Sequence, residues 1–255
     1  MNTLVIFSPR TGSTILNELL AFQHENVDLD EFLSHCIRLG TRGILVNNIP
    51  VSILDELRRL NVRYKGFTPH KTNFLSKINL SGYNWSAKCY ASNIDTVRYI
   101  IETVGNSDTK ILFTRRNNLK QQCWSAIMAE AREDELRDSI SSSYSSHIHT
   151  NKHKYPEIKQ KQLDIKKAAK TIKTTILSAN IVKQLHEEFG GTMMTYEETI
   201  SINDFSLSGI TPETTQKYNE LELQMIKPDY IPPEKYFHNY DEIDALIEQT
   251  LKQHP

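Results

Sequence analysis

The 255-residue chain has no long apolar run, no internal repeat, no low-complexity linker and almost no net charge. Each absence excludes something. No stretch approaches the ~20 consecutive apolar residues of a membrane-spanning helix. The first apolar run, Leu4 to Phe7, is far too short for the core of a secretory signal and passes straight into a loop. The expectation is a soluble, cytoplasmic protein with no membrane partner. A formal charge of −1 gives no overall pull toward nucleic acid or membrane. Cysteine is scarce: Cys36, Cys89 and Cys123 are an odd number without metal-ligand spacing. Two lie in apolar stretches, which reads as buried reduced thiols in a reducing compartment. At this length, with 38% apolar residues, one domain over residues 1–255 with insertions is expected, or at most two small domains.

What is present is an alternation of strand and helix patterns. Leu4-Val5-Ile6-Phe7 is a continuous apolar run, as in a strand buried on both faces of a parallel sheet. After Gly12, Ile15, Leu16, Leu19 and Leu20 fall on one helical face. Trp85 to Tyr90 reads as a strand, and Ile94, Val97, Ile100, Ile101 and Val104 mark a helix that Gly105-Asn106 ends. Lys110 to Thr114 is the next strand, with Asn117 or Asn118 as cap of the following helix. Apolar residues at helical spacing predict a long helix over Leu163 to Phe189, stopped by Gly190-Gly191, and then a short strand at Thr192 to Thr195. Helices are also expected at Val51 to Leu60 and near Asp241 to Leu251. The alternation predicts an α/β fold with a central, mostly parallel sheet flanked by helices. Residues 34–80 fit this pattern poorly and read as an insertion, and 138–162 as a polar mobile loop or lid.

The residues between the first strand and first helix, SPRTGST, carry the chemistry. One glycine in a strand-to-helix turn lets backbone approach a ligand. The helix then points free N–H groups and its positive dipole end at the loop. Arg10 adds a charge, and Ser13 and Thr14 add hydroxyl donors. The loop is built as a phosphate cradle, the bland alternative being an ordinary turn. The nucleotide-triphosphatase pattern G-x-x-x-x-G-K-[ST] is absent: there is no first glycine and no lysine after Gly12. That argues against ATP or GTP chemistry with magnesium. His147, His149 and His153 have strand-like spacing without a nearby acid or thiol, so they read as a solvated loop and not a metal site. The lysine-rich run Lys152 to Lys173 is a solvated helix face or a positive rim, and without interleaved aromatics it does not point to nucleic acid.

Pro9-Arg10-Thr11-Gly12-Ser13-Thr14-Ile15-Leu16 resembles the 5′-phosphosulfate loop of sulfotransferases, in the form closest to the bacterial trehalose-sulfotransferase branch. Leu29-Asp30-Glu31-Phe32 resembles the segment that carries that branch's proposed base. Ile111-Leu112-Phe113-Thr114-Arg115-Arg116-Asn117 resembles the strand and turn with the 3′-phosphate arginine. Met194-Thr195-Tyr196-Glu197-Glu198 resembles the later strand ending in Tyr-Glu-Asp. The four stretches keep their order over about 190 residues and cover about a fifth of the chain.

The resemblance implies a P-loop-type sulfotransferase fold. It implies 3′-phosphoadenosine 5′-phosphosulfate (PAPS) as donor, adenosine 3′,5′-bisphosphate as product, a carbohydrate or small-metabolite hydroxyl as acceptor, and no metal. By the same resemblance, Arg10, Thr11, Gly12, Ser13 and Thr14 hold the 5′ side, with Arg10 also catalytic. Arg116 pairs with the 3′-phosphate, with Arg115 as its substitute. A family serine is expected where this chain has Trp124, with Ser125 one residue later: either the turn carries one extra residue at Asn117-Asn118 and Ser125 contacts the 3′-phosphate, or Ser125 does not touch it. Glu31 is the base, against the alternative of a solvated acidic loop, with His24 and His35 as fallbacks. Lys88 either reaches the sulfuryl group or is a solvated strand-end lysine. Tyr196-Glu197 is expected to support the core. Two other functions compete: a small-molecule or nucleoside kinase on a related fold, and a non-catalytic binder of PAPS or its bisphosphate product.

Overall fold

The computed structural model describes residues 1–29, 31, 33, 68–139, 161–201, 204–220 and 232–254. The expected helix at Val51 to Leu60 lies outside these residues, as do nearly all of the 138–162 loop, its three histidines, Asp30, Phe32, His35 and Cys36.

Five described strands form one parallel sheet: β1 (Asn2–Phe7), β2 (Val27–Asp28), β3 (Trp85–Tyr90), β4 (Thr109–Arg115) and β5 (Thr192–Thr195), in the order β2-β3-β1-β4-β5. The expected α/β class with a parallel sheet is what the chain adopts. β1 is buried along its whole length, as the continuous apolar run requires of a central strand. The connecting helices are α1 (Ser13–His24), α2 (Thr68–Leu80), α3 (Ile94–Val104), α4 (Leu119–Ser139) and α5 (Ile165–Phe189). They are followed by α6 (Pro212–Glu220), α7 (Pro233–Tyr236) and α8 (Tyr240–Gln253).

The helix limits have local causes. Asn93 caps α3 by accepting the Thr96 N–H at 2.9 Å. Asn118 does the same for α4 through the Gln121 N–H at 3.0 Å. Glu25 ends α1 in the left-handed conformation, its N–H turned back to the helix carbonyls. Gly191, at φ 103°, sits where a Cβ would meet the Ile111 carbonyl oxygen at 3.0 Å, so only glycine lets β5 lie this close to β4.

The described residues divide into two compact units, Met1–Asn117 with Ser178–Glu220, and Asn118–Leu177 with Leu221–Pro255. The first holds the sheet. Leu4, Ile6, Trp85, Cys89 and Phe113 pack there with Val97, Ile100 and Ile101 of α3 and Val182 and Leu185 of α5. On β1, Thr3, Val5 and Phe7 alternate with these residues, and Ser86, Lys88 and Thr114 stand in register with them. The second unit has its own core of Cys123, Trp124 and Ile127 on α4, Ile172 and Ile176 on α5, and Ile243 and Ile247 on α8. Trp124 stacks on Tyr240 with ring centroids 4.9 Å apart and donates its indole N–H to Asp244 at 3.0 Å.

Candidate active site

Strand order decides where a ligand can sit. From β1 the chain leaves through α1 toward β2 at one edge, and from β4 it leaves toward β5 at the other. The carboxyl ends of β1 and β4 are neighbours whose continuations diverge, and that is the switch point where open parallel sheets bind ligands. The loop Ser8 to Gly12 stands at this point.

The loop is bent twice into the left-handed region. Arg10 has φ 62° and Gly12 φ 76°. For Gly12 this costs little, but for arginine it is a strained conformation that its surroundings must hold. Gly12 is also the N-cap of α1, and no side chain caps that helix. Its first-turn N–H groups, Ser13 and Thr14 included, are therefore presented to the loop with the positive end of the helix dipole behind them. Thr11 points inward: its hydroxyl donates to the Ser8 carbonyl at 2.9 Å and lies 2.8 Å from the Thr114 hydroxyl of β4.

Lys88 brings charge to the same turn. Standing on β3 in register with Val5, it is 1% exposed, although a strand-end lysine is ordinarily solvated. Its ammonium donates to the Thr14 hydroxyl at 2.6 Å and to the Glu31 carboxylate at 3.2 Å, and lies 5.4 Å from the centre of the Phe7 ring. Glu31 keeps 23% of its side chain exposed, so the pair has a buried cation and a carboxylate that water reaches. The third residue of the pattern GST thus meets a lysine after all, supplied by another strand. The alternation Trp85-Ser86-Ala87-Lys88 carried the signal, since period two sets Ser86 and Lys88 on one face. What it lacked was the pairing partner.

The end of β4 supplies two arginines. The Arg116 guanidinium lies over the Tyr196 ring, 3.8 Å from its centre. Tyr196 opens a turn of π-helix, Tyr196–Ile200, directly after β5. The next residue, Glu197, accepts the Asn117 N–H at 3.0 Å and so fixes the turn after the arginines. Tyr196 therefore seats Arg116, where the sequence had suggested support of the core. Arg115 has a buried Nε without a hydrogen-bond partner among the described residues.

One candidate lies elsewhere. His24 ends α1, eleven residues from Ser13, about 16 Å along the helix axis at 1.5 Å per residue. It belongs to the opposite end of the helix from the loop and is no fallback base. Its imidazole pKa is lowered, mainly by burial and then by the N-terminal ammonium and Lys110. Ser125 is half-buried on α4, and Trp124 before it packs in the core of the second unit.

Three comparisons with known proteins bear on the site. No family model matches the chain, and no curated protein matches it. Among solved structures it is similar to the sulfotransferase domain of the Synechococcus PCC 7002 olefin synthase, at 13% identity and a TM-score of 0.44, over 98% of this chain and 94% of that one. At that identity and overlap, function has to come from the site's own residues. They form an uncapped helix start, a buried lysine paired with a glutamate, and two arginines at the end of the adjacent strand. Together these suit a ligand with more than one anionic group, bound beside a carboxylate.

Proposed function

We propose that the protein is a PAPS-dependent sulfotransferase acting on a hydroxyl of a carbohydrate or small metabolite. The observation that carries this reading is the convergence at one switch point of the SPRTGST loop, the Lys88–Glu31 pair and the Arg115-Arg116 turn. The residues fit such a donor in two respects. The helix start has donors and no cap of its own, and Arg115 holds a buried Nε without a partner among the described residues.

When bound, PAPS supplies a sulfuryl group that forms a bond to the acceptor oxygen and gives up its bond to the 5′-phosphate. The chain's part is positioning and charge. The N–H groups of Thr11 to Thr14, with the Ser13 and Thr14 hydroxyls, would hold the 5′-phosphate. Arg10 and Lys88 would offset charge developing there. Arg116, its guanidinium seated over the Tyr196 ring, would hold the 3′-phosphate, with Arg115 as a further contact. Glu31, whose side chain is partly exposed, would take the acceptor's proton. The cationic set is built into the protein as arginine and lysine, so these roles draw on no metal ion. The form of the first loop supports the trehalose-sulfotransferase branch within this reading.

The test is transfer of labelled sulfate from PAPS into a panel of sugars, phenols and aliphatic alcohols, with Arg10→Ala beside the wild type. Label entering an acceptor with the wild type, and falling at least a hundredfold with the variant, is the expected result. Near-normal turnover by Arg10→Ala would refute that residue's role. Donor binding without transfer to any class would make the chain a PAPS-binding module instead.

A further inference from the structure

We propose that Thr114 is a positioning residue, whose buried hydroxyl ties the anion loop to the strand that carries the arginines and so sets the spacing between two anion subsites. The inference rests on the donor reading above and adds to it the element that measures the ligand.

Arg10 and Gly12 are both left-handed, at φ 62° and 76°. Such a loop keeps its shape only where neighbours over-determine it. The residue between them, Thr11, is 1% exposed, as is Thr114. A hydroxyl has one proton. Thr11 gives its own to the Ser8 carbonyl, so in the 2.8 Å contact between the two hydroxyls Thr114 is the donor. The Thr11–Ser8 bond closes the loop on itself, while the Thr114–Thr11 bond joins the loop to β4. Backbone pairing between β1 and β4 runs out at this same level, with Phe7 opposite Thr114. Past it, the hydroxyl bond spans from the loop to the strand, and the next two residues are Arg115 and Arg116, the second seated on Tyr196. A ligand with one anionic group needs only the loop. A ligand with two, such as adenosine 3′,5′-bisphosphate, needs the loop and the arginine turn at a fixed separation.

The two bonds can be separated by mutation. Thr114→Val keeps the shape of the side chain and the loop's own turn, and removes the tie. Thr11→Val removes both. Calorimetric titration with adenosine 3′,5′-bisphosphate and with AMP should show Thr114→Val losing roughly tenfold in bisphosphate affinity, with AMP affinity changed far less. Thr114→Ser should restore the wild-type ratio, and Thr11→Val should weaken both ligands. If Thr114→Val does not fold, as judged by circular dichroism, Thr114→Ala carries the same comparison. An unchanged affinity ratio in a folded variant, or a serine variant that fails to restore it, overturns the proposal. A wild-type protein with no preference for the bisphosphate overturns the donor reading itself, and this inference with it.

Discussion

A lysine that is 1% exposed has given up its hydration, so the groups around it must repay that loss. For Lys88 they include the Thr14 hydroxyl and the Glu31 carboxylate, which together fix its ammonium at the first turn of α1. A charge held there acts where the helix start acts, and the two should add. Replacing it by methionine keeps the length and removes the charge. Lys88→Met is expected to lower kcat for sulfuryl transfer by about 10²–10³-fold, as loss of one preorganised donor does. Turnover within threefold of wild type would show that Lys88 is only a structural partner of Glu31. Tyr196 gives a milder case. Tyr196→Leu should cost roughly three- to tenfold in affinity for the bisphosphate and change AMP affinity far less, since the ring seats Arg116. Calorimetry on both ligands checks it, and equal losses would contradict it. At this scale the sequence was legible where the geometry of the candidate site lies in consecutive residues. Arg10 to Thr14 could be read directly, because loop, glycine and helix start are local. Lys88 and Tyr196 acquire their roles from partners 57 or more residues away in the chain, and spacing alone does not supply those partners.

The elements were easier to read than the contacts between them. α3 covers the predicted Ile94 to Val104 because one apolar stripe, an asparagine cap and a glycine stop all agree. β3 and β5 likewise match the stretches read as strands, Trp85 to Tyr90 and Thr192 to Thr195. The π-helical turn at Tyr196–Ile200 had no such signal, since it depends on Thr195 capping the Glu198 N–H directly after a strand. α1 shows how an element couples to pH. His24 in its last turn has a pKa held below 6.5 by burial, and its Nε2 is buried without a hydrogen-bond partner among the described residues. The unfolded chain therefore takes up the proton first as pH falls. His24's contribution is complete above pH 6.5 and declines as pH drops through 6.5 toward the lowered folded value. Melting temperatures between pH 8 and 5 should fall more steeply for wild type than for His24→Gln, and parallel profiles would contradict this.

For the whole molecule, the sheet-bearing unit has an apolar core and the candidate site at the ends of its strands. Phe113 is fully buried on β4, with its ring 5.4 Å from that of His186. Phe113→Ala should cost about 3–5 kcal/mol in urea unfolding, because a ring lost from a close-packed core leaves a cavity. A loss under 1 kcal/mol would mean that the core closes over the gap. In the second unit, burial pushes the Cys123 thiol up to about 12, so it stays protonated and should resist alkylation at pH 8 until the protein unfolds. On the proposed reading, the loop after β1 and the turn after β4 hold the two phosphate ends of one nucleotide. Its most direct test is titration of the intact chain by calorimetry with adenosine 3′,5′-bisphosphate, with AMP and with ATP plus magnesium. Tight binding of the bisphosphate and weak binding of the other two is the expected result. Preference for ATP with magnesium, or no binding of any nucleotide, would contradict it.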